Sequence, residues 1–428
     1  MVAAGKGIGQ GLHRADKCAQ QELYLDSPPS KKTYTVEDRE LLLEVYKKLL
    51  WNRMVPKIPE SIAPNTITIL GQVCAIIGVV SAGFASMVHP YLYGLSAFAW
   101  LAYLTADNID GPHARRTGQT SVLGEFLDHG LDGFASGAVL ITTCFVLHIE
   151  GLWMALFLAL GTVGFIVTFW EQYRTGRLVL PELSSTEGVT VVVILELLSC
   201  IFHEPSWLEL DLTGWNFSVG LMSFVLAAYM VAIIQPVWRA KKAGAKPFEL
   251  LYVFVVLGSL TWFVQLGGHS LLPSIAMGFF GADVVCRIIR LRHEELDKCV
   301  VASYHWVYIV PVILAALMPD VMSVNHWAAL SVGISFLAYA RTLVVSGSLL
   351  LRQEAEEKAS AVWESQWKLS LSEAERTGEL LNCWKGLDRI HTKVFNMQHL
   401  TAVRLIGHSL TKIPDAFCDL LLNLKSLS

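Results

Sequence analysis

Long apolar stretches separated by short polar breaks recur through the middle of the chain. Each is close to the length of roughly 18–20 residues that lets a helix cross the hydrocarbon core of a bilayer. A polar residue, a glycine or a proline follows each stretch, so the pattern predicts ten membrane-spanning helices. The predicted spans are 66–87, 89–107, 130–148, 151–171, 188–203, 216–236, 248–265, 269–288, 300–318 and 325–346.

Composition agrees with this pattern, because 53% of the 428 residues are hydrophobic and only 16% are charged. Soluble domains carry about 25% charged residues. The predicted fold class is therefore all-α, a polytopic membrane protein with an additional helix at the membrane surface. The eight cysteines are scattered along the chain without metal-site spacing, and we interpret them as small core residues.

Four regions follow from the distribution of polar and apolar positions: a disordered N-terminus (1–34), an amphipathic interfacial helix (35–62), the transmembrane domain (63–350) and a cytosolic helical tail (351–428). The interfacial helix is expected to begin with Thr35 as its N-cap. Packing of this helix against the bundle is an equally open alternative. The tail ends in leucine-rich-repeat spacing that starts at Leu400 and restarts at Leu424, although chance similarity in a leucine-rich helix stays open.

Basic residues separate the loops into two groups. The loops after the second, fourth, sixth and eighth spans carry arginine or lysine, whereas the loops on the opposite side carry none. Positive charge remains on the cytosolic side of membranes, so the even number of spans places both termini in the cytosol.

Acidic residues at the edges of two spans provide the strongest chemical signal. Asp107 and Asp110 are three residues apart, and Asp128 and Asp132 are four apart, so each pair shares one face of a helix. A carboxylate at the edge of a membrane span is costly, and four close together repel unless a cation lies between them. A single aspartate there is more readily a solvated residue or a helix cap. The set of four predicts a site for Mg²⁺ or Mn²⁺ on the cytosolic side.

The aspartates belong to a longer pattern, Asp-x-x-Asp-Gly-x-x-Ala-Arg-x8-Gly-x3-Asp-x3-Asp. Gly111 and Gly124 remove side chains where a nucleotide or another helix must come close. Arg115 offers a planar fork of donors to phosphate oxygens. This combination suits a metal-bound diphosphate.

This pattern resembles the signature of the CDP-alcohol phosphotransferase family. The resemblance implies two Mg²⁺ or Mn²⁺ ions held by the four aspartates. It also implies a site for the cytidine diphosphate group lined by Asp107, Gly111, Ala114, Arg115, Gly124 and Asp128. The likeness is greatest to the eukaryotic choline/ethanolamine phosphotransferases, from about residue 51 to residue 347, and includes the segment 124–130.

The resemblance implies transfer of phosphocholine or phosphoethanolamine from CDP-choline or CDP-ethanolamine to the hydroxyl of diacylglycerol. The products would be CMP and phosphatidylcholine or phosphatidylethanolamine. Leu131 makes the segment slightly closer to the ethanolamine type. His129 is the expected general base, with Asp132 as the alternative from the wider family. A structural His129 that orients the aspartates also stays open.

We also expect a homodimer in the endoplasmic reticulum or Golgi membrane. It would contact membrane lipid and would not bind nucleic acid. The alternatives are another CDP-alcohol phosphotransferase substrate pair, a cation-coupled transporter, or an inactive homologue that acts as a scaffold. Transporters usually place their acids near the membrane midplane, which the edge position here does not match.

Other charged residues fall within the predicted spans. We expect Asp283 to form an ion pair with Arg287, four residues further on. Glu196 and Arg341 receive no predicted partner. Three residues could orient a head group or simply form a polar rim: Glu171, Tyr173 and Glu187.

Overall fold

The computed structural model describes residues 35–181, 184–202, 217–377, 379–382, 402–405 and 426–427. The predicted disorder of residues 1–34 lies outside these residues. The chain separates into two compact units, one of which consists of residues 32–351.

Helices make up most of the first unit, and most of them are long. In chain order they are α3 (Pro64–Ala85), α4 (Tyr91–Thr117), α5 (Val122–Val146), α6 (Gly151–Thr175), α7 (Ser185–Phe202), α8 (Phe217–Lys242), α9 (Leu251–Gln265), α10 (Leu271–His293), α11 (Val310–Leu317) and α12 (Val324–Thr377). Within the described residues, eight helices are long and apolar enough to cross a membrane. The other two predicted spans coincide with α4, which carries the first two aspartates, and with the shorter apolar segment Tyr304–Leu317.

Several helices extend beyond the predicted spans: α4, for example, continues to Thr117 rather than ending at 107. The third span starts at Val122 rather than 130, because Ser121 caps it: the Ser121 hydroxyl accepts a hydrogen bond from the Gly124 amide at 2.9 Å. Asp128 and Asp132 therefore lie within the first turns of a long helix. At the other end of the chain, α12 continues without interruption from the last span through the charged segment to Thr377.

The segment before the first span is not one continuous helix. Thr35–Asp38 is a strand, β1, that pairs in parallel with β2, Arg177–Leu180. The prediction of Thr35 as an N-cap is therefore wrong, because hydrogen bonds to a segment about 140 residues away replace the local helical ones. Helical structure begins only at Leu43, in short pieces: α1 (Leu43–Tyr46), a π-type turn (Lys47–Trp51), α2 (Asn52–Met54) and a 3-10 turn (Val55–Lys57).

Helix α5 lies at the centre of the bundle and packs against α3, α6 and α10. Its contact with α10 is close because glycines face it: a Cβ atom built on Gly133 would lie 2.7 Å from the Cα atom of Ala282, and one built on Gly137 would lie 2.9 Å from the Cα atom of Gly278. Small residues four apart are the usual way for membrane helices to approach at backbone distance. This contact holds the helix that carries Asp128 and Asp132.

In the second unit, three short strands form a parallel sheet: β3 (Glu379–Asn382), β4 (Ala402–Leu405) and β5 (Ser426–Leu427). Glu379, Ala402 and Ser426 occupy equivalent register positions, so one strand is added for every 23 or 24 residues. This spacing falls within the period of about 20–29 residues found in leucine-rich repeats. The identification of the tail as a repeat domain stays a prediction.

Candidate metal and nucleotide site

A tight turn brings the end of α4 beside the start of α5. Helix α4 ends at Thr117, and Gly118 follows in the left-handed conformation with a φ of 66°. The Gln119 amide then closes the helix on the Ala114 carbonyl at 2.9 Å. Four residues separate the two helices, so side chains near both ends can meet.

Three of the four predicted aspartates come together at this hairpin. Asp107, Asp128 and Asp132 each offer a carboxylate oxygen, and these oxygens all lie within 4.8 Å of one another. Asp128 Oδ1 is buried and has no hydrogen-bond partner. Carboxylates at this separation repel one another, and an all-oxygen set suits a hard divalent cation. The residues present therefore fit Mg²⁺ or Mn²⁺.

Asp110 is close to this group in sequence but has different immediate neighbours. Its buried carboxylate accepts hydrogen bonds from the Thr68 hydroxyl of α3 and from the Gly111 amide, the latter at 2.5 Å. Residues three apart on a helix differ by about 60° in direction, which allows one aspartate to face α5 while the other faces α3. The role of Asp110 as a metal ligand stays a prediction.

Polar residues from the first two spans orient Asp132. The Tyr103 hydroxyl donates to Asp132 Oδ1 at 3.0 Å, and the Gln72 amide nitrogen lies 3.5 Å from the same oxygen. Neither of these residues, nor Thr68, is among the site residues predicted from the sequence. One signal was present: Thr68 and Gln72 are polar residues one helical turn apart in a largely apolar span, a pattern that can mark a buried polar site.

His129 lies between two of the clustered aspartates. Its Nδ1 atom is 3.8 Å from Asp128 Oδ2 and 4.0 Å from Asp132 Oδ2, both beyond normal hydrogen-bond length. The Phe169 ring lies 5.4 Å from the imidazole, centroid to centroid. The histidine is thus held beside the carboxylates without a close hydrogen bond to either.

The remaining motif residues surround the hairpin. Arg115 is exposed and forms no ion pair within the part of the chain that the structure describes. Gly111 lies next to this side chain: a Cβ atom built on it would lie 3.4 Å from one guanidinium nitrogen of Arg115, an ordinary contact distance. Ala114 is buried on the same helix. A glycine at position 124 also leaves space for the cap of α5, because a Cβ atom there would lie only 3.1 Å from the Ser121 hydroxyl oxygen.

Glu125 ties the start of α5 to the end of α10. Its carboxylate accepts a hydrogen bond from Arg292 and lies 3.2 Å from His293 Nε2. Because Glu125 is one turn before Asp128, this clamp positions the aspartate-bearing end of α5 relative to α10.

Other polar candidates from the sequence have structural partners. Glu171 accepts two hydrogen bonds from Arg239, at 2.5 and 2.7 Å. The Glu187 carboxylate accepts from the Leu42 amide at 2.8 Å, which attaches the N-terminal segment to α7. The Tyr173 hydroxyl donates to the Leu296 carbonyl at 2.5 Å.

The predicted Asp283–Arg287 ion pair is wrong. Asp283 accepts hydrogen bonds from the Tyr308 hydroxyl at 2.7 Å and the Tyr304 hydroxyl at 3.1 Å, and His305 Nε2 lies 3.3 Å away. Arg287 donates instead to the Val300 carbonyl at 2.9 Å. The 3-10 segment Ser303–Tyr308 presents these partners to the buried carboxylate, and helical spacing alone does not reveal that segment.

The bundle and its hairpin of clustered aspartates define a polytopic helical membrane protein with a candidate metal site at the end of its spans. Residues 61–233, which include the whole hairpin, match the family model described as CDP-alcohol phosphatidyltransferase. The chain therefore contains a domain of the CDP-alcohol phosphatidyltransferase family.

Similarity to curated proteins agrees with this assignment. The chain is 30% identical over 256 residues to an uncharacterized CDP-alcohol phosphatidyltransferase class-I family protein of Schizosaccharomyces pombe, a match that covers 54% of this chain and 65% of the relative. It is 32% identical over 173 residues to cholinephosphotransferase 1 of Danio rerio, covering 39% and 45%. It is 27% identical over 297 residues to choline/ethanolaminephosphotransferase 1 of Saccharomyces cerevisiae, covering 60% and 74%. The chain thus spans less than two thirds of the length of the first two of these relatives.

Proposed function

We propose that the protein transfers phosphocholine or phosphoethanolamine from the CDP-alcohol to the hydroxyl of a diacylglycerol. The observation that carries this proposal is the convergence of Asp107, Asp128 and Asp132 on the family-specific hairpin. Relatives named choline- and ethanolaminephosphotransferases support the choice of substrates.

In this proposal Asp107, Asp110, Asp128 and Asp132 hold two Mg²⁺ or Mn²⁺ ions. When bound, such ions neutralise the diphosphate and the CMP leaving group. The unpartnered Asp128 Oδ1 atom is the clearest sign that the carboxylates have a ligand to receive. Tyr103, through its hydrogen bond to Asp132, keeps one of them oriented.

The cytidine diphosphate group would lie along the same hairpin, beside Asp107, Gly111, Ala114, Arg115, Gly124 and Asp128. Arg115 has the strongest structural support for this role, because its exposed guanidinium has no carboxylate partner among the described residues. A guanidinium can donate two parallel hydrogen bonds to phosphate oxygens.

His129 is proposed to take the proton from the acceptor hydroxyl. The diacylglycerol oxygen forms a bond to the phosphorus that bears the amino alcohol, the bond from phosphorus to CMP breaks, and the proton moves to the imidazole. His129 is the better candidate than Asp132, because Asp132 already accepts a hydrogen bond from Tyr103. A neutral imidazole is also the side chain best suited to exchange protons near pH 7.

The proposal also covers the location and oligomeric state of the protein. We place the protein in the endoplasmic reticulum or Golgi membrane with the site facing the cytosol, as a homodimer, and favour ethanolamine as the head group. A cation-coupled transporter is a weaker candidate, since the carboxylates lie at a helix hairpin rather than at a broken helix near the midplane. An inactive scaffold is weaker still, because every fixed position of the family pattern is present.

A transfer assay tests the proposed reaction. The purified chain, given Mn²⁺ or Mg²⁺ and diacylglycerol, should release CMP and form phospholipid from CDP-ethanolamine, and more slowly from CDP-choline. Chelation of divalent ions with EDTA should stop both reactions. Folded protein that transfers neither head group from its CDP-alcohol would refute the substrate assignment. Transfer to a different alcohol would indicate another of the reactions that the family catalyses.

Replacing His129 with alanine should lower kcat by about 10²-fold or more, the usual contribution of a positioned general base. The KM for the CDP-alcohol should change little, because the imidazole is not among the predicted nucleotide contacts. Stabilisation of the protein by Mn²⁺ in thermal unfolding should persist, which distinguishes a base from a group that organises the aspartates. A near-normal rate in this variant would move the base role to Asp132.

A further inference from the structure

A cavity of about 150 Å³ lies apart from the clustered aspartates, between α10, α12 and the 3-10 segment Ser303–Tyr308. Its lining is unusually rich in positive charge. The lining residues are Arg287, Arg290, Ala302, Tyr304, Arg341, Thr342 and Val345.

The three arginines are poorly neutralised by the protein. Arg290 has one carboxylate near it, that of Glu294 at 3.8 Å, and its Nε atom is buried without a hydrogen bond. Arg287 donates to the Val300 and Cys299 carbonyls, which carry no net charge. Arg341 lies over the Tyr304 ring at 5.4 Å and has no carboxylate within ion-pair distance among the described residues. Among the described residues, only one carboxylate, that of Glu294, thus lies within ion-pair distance of these three guanidinium groups.

Two of the uncharged lining residues, Tyr304 and Thr342, are held in place by hydrogen bonds. The Tyr304 hydroxyl lies 3.1 Å from Asp283 Oδ1 and 3.0 Å from the Thr342 hydroxyl. Asp283 is fully buried and also accepts from Tyr308. These hydrogen bonds restrict the movement of Tyr304 and Thr342 where the two residues line the cavity.

The position of the cavity favours a lipid as its occupant. Arg341 shares one face of α12 with Leu337 and Val344, which are 66% and 69% exposed on a helix long and apolar enough to span a membrane. An arginine on such a face is costly unless it reaches the interface or pairs with an anion. Arg287 and Arg290 lie near the end of α10, where Arg292 binds Glu125, so the cavity is on the same side of the bundle as the aspartates.

We propose that this cavity, the arginine pocket, binds the phosphate group of an anionic phospholipid from the leaflet on that side. Arginine forks match phosphate oxygens, and the acyl chains of such a lipid would lie along the exposed apolar face of α12. The proposal stands on the pocket alone and is independent of the reaction proposed above.

Binding of short-chain lipids to the full chain tests this. Titration of the purified protein in EDTA with dioctanoyl phosphatidic acid should give saturable binding, at least about tenfold tighter than dioctanoyl phosphatidylcholine. EDTA keeps divalent ions from the aspartates, which then disfavour an anion at that site. Inorganic phosphate is the third probe, and it should bind at least about tenfold more weakly than the anionic lipid, because it lacks the apolar contacts.

Variants link the binding to the pocket. Arg341→Gln and Arg290→Gln should each weaken phosphatidic acid binding by about tenfold or more, the loss expected for one charged hydrogen bond. Arg53→Gln is the matched control, because Arg53 is exposed and lies outside the pocket, and it should leave the affinity within about twofold of the original. Arg341→Lys, which keeps the charge, should retain part of the affinity and serves if the glutamine variant does not fold.

Equal affinity in the original chain and in the two pocket variants would overturn the proposal. So would equal binding of phosphatidylcholine, which would indicate a general lipid surface. Inorganic phosphate that bound as tightly as the lipid would show that the pocket takes a free anion instead.

Discussion

Replacing Asp128 with asparagine is expected to remove nearly all transferase activity while the helical bundle stays folded. The substitution keeps the shape of the side chain but removes its charge from a group of three carboxylates within 4.8 Å of one another. Charge stabilisation by bound metal is worth several kcal/mol in phosphoryl transfer, and each ~1.4 kcal/mol is a factor of ten in rate. We therefore expect kcat to fall by about 10³-fold or more in the head-group transfer assay.

Thermal unfolding separates this effect from simple damage to the fold. In EDTA, the Asp128→Asn protein should unfold at the same temperature as the original chain or at a higher one, because one of three mutually repelling charges is gone. Addition of Mn²⁺ should raise the unfolding temperature of the original chain, since a ligand that binds only the folded state stabilises it. The same addition should have little effect on the variant.

Asp320→Asn supplies the matched control, since Asp320 is an exposed acid outside the hairpin. This variant should keep both its activity and its response to Mn²⁺. Retained activity in Asp128→Asn would contradict the assignment of the hairpin as the metal site. Lost activity together with an unchanged response to Mn²⁺ would place the metal elsewhere.

Replacing Gly137 with leucine is expected to disrupt the bundle more than any single change to the motif. A Cβ atom at this position would lie 2.9 Å from the Cα atom of Gly278 in α10. Gly278 is already the smallest residue, so neither side chain can yield and the two helices must separate. Overpacking of this kind costs about 1–3 kcal/mol, and lost helix contacts add to it.

The effect should appear as a lower unfolding temperature and a lower yield of folded protein. Activity should fall with it, because α5 carries Asp128 and Asp132 and is held against α10 by this contact. The unfolding temperature of Gly137→Ala should lie between those of the original chain and of Gly137→Leu. Gly333→Leu is the matched control: Gly333 is exposed on α12, and no atom lies within 4 Å of a Cβ built there. If both leucine variants unfolded like the original chain, the α5–α10 contact would not be close in the folded protein.

Prediction from sequence succeeded where the signal is local. A membrane span needs only length and apolar composition, and all ten predicted spans coincide with helices. It failed where a partner comes from a distant segment. Thr35–Asp38 has acceptable helix-start residues, yet it forms a strand because Arg177–Leu180 offers a free edge. Asp283 has an arginine four residues away, yet Tyr304 and Tyr308 take its carboxylate oxygens.

The acidic site shows the same division. By itself the amino-acid sequence determined the membrane-spanning helices and the spacing of Asp107, Asp110, Asp128 and Asp132, because helical periodicity acts within a few positions. Only the tertiary structure decided that three of these carboxylates meet while Asp110 binds Thr68, and that Tyr103 holds Asp132. The physical reason is that packing sets the rotation and separation of α3, α4 and α5, above all through glycines that allow close approach. The periodicity of a single helix does not show which of its faces a neighbouring helix will cover.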